Sequence, residues 1–130
     1  MAKEISWSVS IDVTKNGIRV PFSTTVSQSI QTTLGVLHHT EQVVGTTKES
    51  LSTGDVDLGS EAIVVIRNTD PTNIMSLWIT NQQPPNIYIR PGETFGPARV
   101  YNGLASWQIS CANASGKAEV VVIEAGDPNS

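Results

Sequence analysis

A single cysteine stands among the 130 residues, so no disulfide can form within the chain and the fold must hold without covalent staples. Cys111 alternates with Ile109 and Trp107, which puts it on the apolar side of a strand as a buried, inert thiol. Charge is scarce too: 8 basic and 12 acidic residues leave a net charge of -4. The basic residues are scattered, with no run able to track a phosphate backbone, which argues against nucleic acid as a partner. No apolar run has the length of a membrane span, and Met1-Ala2-Lys3-Glu4 leads straight into an alternating stretch with no secretory signal. The expectation is a protein made in a cytoplasm, without a membrane partner. Catalytic signatures are missing as well: there is no Gly-rich phosphate loop, no nucleophile motif and no acid–base pair set by spacing. A non-enzymatic protein without a cofactor is expected.

What the chain does have is Ser and Thr, about a fifth of its length, set between short apolar runs in the manner of a β-rich protein with uncharged outer faces. The most legible stretch runs from Glu61 to Glu93. Ala62-Ile63-Val64-Val65-Ile66 suits a strand buried on both faces, and Asn68-Thr69-Asp70-Pro71-Thr72-Asn73 ends it with turn formers. Met75, Leu77 and Ile79 then alternate with Ile74, Ser76, Trp78 and Thr80, predicting a strand that returns beside the first as a hairpin. Pro84-Pro85 interrupts it, Ile87-Tyr88-Ile89 can form one more strand, and Arg90-Pro91-Gly92-Glu93 turns again.

Upstream, Ile5, Trp7, Val9, Ile11 and Val13 alternate with Ser6, Ser8, Ser10 and Asp12, the pattern of a strand with one face buried. Asn16-Gly17 is a strong hairpin signal, and Ile18, Val20 and Phe22 supply the returning strand, with Pro21 marking an edge or a bulge. Ser23 to Thr33 is β-permissive and uncharged, with Val26 and Ile30 as its only apolar anchors. It reads either as an edge strand or as an arm ordered against a neighbouring subunit, which makes Val26 and Ile30 candidate contact residues for an oligomer or a capsid. The pair His38-His39 does not make a metal site, because adjacent strand residues point to opposite faces and no second cluster of ligands accompanies them.

Downstream, Gly96-Pro97 predicts a bulge or kink, Asn102-Gly103 another hairpin, Ala105 to Cys111 a half-buried strand, and Val120-Val121-Val122-Ile123 a buried one. Residues 125–130 read as a frayed tail. The sum is eight or nine short antiparallel strands in a single 1–130 domain, an all-β sandwich of jelly-roll type. Its expected core includes Trp7, Val9, Ile11, Ile63, Val65, Leu77, Ile109, Val120 and Val122. Trp78 with Tyr88 could alternatively offer a stacking platform for a glycan.

Asp57-Leu58-Gly59 ahead of a β-branched strand, the run Arg67 to Asn73, Ile89-Arg90-Pro91-Gly92-Glu93, and the late pair ending Val120-Val121-Val122-Ile123 form one recurrent pattern. With the N-terminal alternating strand and the Asn16-Gly17 turn, it resembles small virion structural proteins of tailed bacteriophages, in particular capsid decoration or cement proteins. The resemblance implies a protein that binds the outside of an assembled capsid and stabilises it, with the major capsid protein as partner and a trimer as the favoured homo-oligomer. It also implies residence on the virion, at the head surface by preference, after synthesis in the host bacterium. A phage tail protein or a receptor- or carbohydrate-binding module is the alternative.

Overall fold

The computed structural model describes residues 5–28, 37–54, 56, 61–79, 85, 87–101 and 104–126. The fold is all-β, with antiparallel pairing throughout and one short 3-10 turn at Leu104–Ser106 among the described residues. The chain divides into two compact units, Met1–Ile30 and Gln31–Ser130. The boundary falls inside the polar segment that begins at Ser23. Residues 23–28 of that segment continue a strand, while Ile30 lies outside the described residues.

The first unit is a two-stranded ribbon of β1 (Ile5–Lys15) and β2 (Ile18–Gln28). Its turn is the one expected at Asn16-Gly17. Both residues take positive φ, 53° and 78°, the conformation that lets a two-residue loop follow the twist of its strands. Trp7 pairs with Val26, Ile11 with Phe22 and Val13 with Val20, so the alternation in both strands falls on the same side.

The second unit contains eight strands: β3 (Leu37–Val44), β4 (Glu49–Ser50), β5 (Glu61–Asn68), β6 (Met75–Trp78), β7 (Ile87–Ile89), β8 (Thr94–Tyr101), β9 (Gln108–Cys111) and β10 (Gly116–Gly126). They form two four-stranded sheets, in the orders β3-β10-β5-β8 and β4-β9-β6-β7. The pairing is nested: β6 lies beside β7, β5 beside β8, β4 beside β9 and β3 beside β10, as if one long antiparallel ladder had been rolled so that alternate rungs fall in opposite sheets. This is the expected all-β sandwich. The expected hairpin between β5 and β6 is not formed, because the six residues after Asn68 carry the chain from one sheet to the other. Nor do β8 and β9 pair; residues 102 and 103 themselves lie outside the described residues.

Between the sheets lies a core of Val64, Ile66, Val120 and Val122 from the first sheet and Met75, Leu77, Ile89 and Ile109 from the second, all at most 2% exposed. Trp107 enters it edge-on against Phe95, with ring centres 5.9 Å apart. Ile63 is buried as expected, while Val65 is half-buried. Trp7, Val9 and Ile11 are not part of this core: the first two are half-buried and Ile11 is 50% exposed. Alternation reveals an apolar face, but a two-stranded ribbon has no second layer of its own to bury it.

Gly96 marks the irregularity expected near Gly96-Pro97. The register between β5 and β8 shifts between Val64 and Ile66, and Gly96 takes φ +96°, where a Cβ would stand 2.5 Å from the Val64 carbonyl oxygen.

Candidate functional site

Asn68 closes β5 and is fully buried. Its Nδ2 donates to the carbonyls of Asn73 and Ile89, both at 2.8 Å, and its Oδ1 accepts from the Asp70 amide at 2.9 Å. Its backbone is used as well, the amide donating to the Glu93 carbonyl and its own carbonyl accepting from the Gly92 amide. One residue thus ties the Asp70-Pro71-Thr72-Asn73 turn, through its side chain, to the Arg90-Pro91-Gly92-Glu93 turn, through its backbone. Asp70 completes the first turn by accepting from the amides of Asn73, at 2.6 Å, and Thr72, at 3.1 Å. Those backbone bonds favour the charged carboxylate and hold its pKa below the ordinary value. The two turn motifs read separately in the sequence are therefore a single hydrogen-bonded knot, and its work is structural.

The histidines part company as the strand geometry requires. His38 faces inward, with Nε2 3.0 Å from Ser52 Oγ and its ring so close to Gly54 that a Cβ there would collide with it. His39 faces outward, 2.8 Å from Glu119 Oε2, beside Arg67 at 3.8 Å from the same carboxylate. Lys117 and Glu41 add a further exposed pair at 3.3 Å. This outer surface of β3-β10-β5 mixes both signs of charge, and such exposed pairs add little to stability. No group of three or more His, Cys, Asp or Glu side chains that could hold a metal gathers among the described residues. Cys111 is buried and free, and desolvation first, then the Asp70 charge, pushes its thiol pKa up, away from reactivity.

Trp78 and Tyr88 do share the outer face of the second sheet, since Tyr88 pairs with Ser76, two residues before Trp78. They do not make an open platform. Tyr88 is 63% exposed, but Trp78 is only 6% exposed and the Lys48 ammonium lies over its ring, 5.1 Å from the centre. A sugar would find that face of the indole occupied.

The surface that stands out is the ribbon. On one side run Ser6, Ser8, Ser10 and Asp12, with Asp12 held by Arg19 at 2.8 Å. On the other, Ile11, Val13, Ile18, Val20 and Phe22 are 50–67% exposed, continuing the half-buried Trp7, Val9 and Val26. Val26 was singled out in the sequence for an uncharged neighbourhood. The structure places it across from Trp7 at the far end of this apolar side. The stripe was visible as alternation in both strands; its exposure was not. Comparison with family models, with curated proteins and with solved structures returned no match.

Proposed function

We propose that this chain is a non-enzymatic structural protein of a tailed-phage virion, which attaches to the outside of an assembled capsid through the major capsid protein and stabilises it. The observation that carries the reading is a division of labour. The sandwich keeps a core of its own, while the ribbon presents an apolar, charge-poor face that calls for association with another protein surface. The nested strand order supports a jelly-roll reading of the sandwich, an architecture used by viral capsid and lectin domains alike. Fold alone does not choose between those two. The covered Trp78 weighs against the glycan-binding alternative, and two of the motifs behind the resemblance to decoration proteins, Arg67 to Asn73 and Ile89 to Glu93, meet at the Asn68 knot. A closed homo-oligomer, a trimer by the same resemblance, fits a protein with a face to cover.

The test is a density gradient of intact particles followed by mass spectrometry. A decoration protein sediments with full-size heads in many copies per particle, and heads stripped of it break at lower temperature. Recovery only with tails, or glycan binding lost on Tyr88→Ala, would replace this reading with the tail or receptor-binding one.

A further inference from the structure

We infer that the apolar face of the β1-β2 ribbon is covered by the same face of a second copy of this chain. The inference does not rest on the virion reading. It starts from a thermodynamic difficulty: a two-stranded ribbon is marginal in water, and this one keeps Ile11, Val13, Ile18, Val20 and Phe22 at least half exposed.

Three observations name the occupant. The first is area. If each of the five exposed side chains leaves on the order of 80 Å² open, one ribbon offers about 400 Å² and two offer about 800 Å². With the half-buried Trp7, Val9 and Val26 added, a ribbon-to-ribbon contact reaches the roughly 1,000 Å² that a specific interface needs. The second is charge. Between Trp7 and Val26 this side carries no carboxylate and one cation, Lys15, at the turn end opposite Ile18. A matching partner must be as free of charge, and an identical face of another copy is. The third is the edge. Pro21 sits in β2 opposite Asp12, and within a paired strand its missing N–H must be the one facing outward. Strand addition along the β2 edge is thereby interrupted, which favours the face for association on that side.

The experiment uses the full chain. Sedimentation velocity and native mass spectrometry at micromolar concentration should find a closed oligomer. Val20→Asp with Phe22→Asp should weaken self-association by about a hundredfold or more, because each side chain loses most of its burial energy. Ser10→Lys, on the polar side, should leave it unchanged. Circular dichroism of each variant checks that the sandwich still melts as before. A native chain that stays monomeric, equal effects of the two sets of variants, or ribbon variants that self-associate normally and lose only their binding to capsids would each overturn the inference.

Discussion

The Asn68 amide donates to the Ile89 carbonyl at 2.8 Å, a bond from the last residue of β5 to the last residue of β7, and so from one sheet to the other. Both groups are shut off from water, which makes the bond hard to replace.

Replacing Asn68 should therefore cost more than a turn residue normally does. Asn68→Ala leaves the buried Ile89 carbonyl and the half-buried Asn73 carbonyl without their donor and should lower stability by about 2–5 kcal/mol. Asn68→Asp keeps the shape and removes both donors, setting a buried carboxylate against two carbonyls, and should be worse. Urea denaturation of the two variants side by side checks the order.

Asp70 should make stability depend on acid. Its carboxyl ionises below its ordinary value of 3.8 in the folded chain. The stabilisation is therefore complete above the unfolded-chain value and is lost as pH falls through the lower, folded one. Urea midpoints measured between pH 2 and pH 6 should fall at the acid end, and Asp70→Asn should flatten that fall. An unchanged slope in the variant would mean that another carboxylate is responsible.

Glu61 is almost wholly buried and ion-paired with Arg99, whose own side chain is 39% exposed. Arg99→Met should strand the carboxylate and cost about 3 kcal/mol. Adding Glu61→Met should recover much of that loss. A double-mutant cycle by thermal melting measures the coupling, and simple additivity would deny the pair any special role.

Gly96→Ala should destabilise by about 1–3 kcal/mol, because the new methyl meets the Val64 carbonyl in a backbone conformation that side chains rarely adopt. Gly17→Ala, also at positive φ but with open space around it, should cost less. Equal losses would mean that conformation alone, and not the close approach to Val64, sets the penalty.

Removing residues 1–28 should leave the cooperative melt of the remainder nearly intact, since every residue of the inter-sheet core lies between Val44 and Val122. Differential scanning calorimetry of the shortened chain against the full one reads this directly.

Local signals were legible in the sequence and long-range ones were not. Asn16-Gly17 specifies its turn because the positive φ values and the pairing of its flanks are settled within a few residues. Asn68 to Asn73 announces a turn equally clearly, yet period two says only that the next strand has an apolar side. Whether that strand returns in the same sheet or crosses to the opposite one depends on β9 and β10, some 40 residues away, which take the places beside β6 and β5. The same limit governs the candidate contact surface. Val26 stood out for lacking charged neighbours, and Ile11 was read as core, because alternation marks a face as apolar without naming what lies against it. Asn68 passed as a turn former; an Asn ending a β-branched run, with Asp two residues on, was the available hint that it would be buried and fully bonded.

The nested pairing also fixes an order of events during synthesis. β10, made after the other nine described strands, occupies the middle of its sheet between β3 and β5. Until it leaves the ribosome those two strands have nothing between them, and β3, whose neighbour in its sheet is β10, has none at all. The inner rungs, β6 with β7 and then β5 with β8, can zip while the chain is still growing, but the outer rung must wait for β10. A nascent chain that stalls before β10 would carry open strand edges as well as an exposed apolar ribbon, the combination most prone to aggregate.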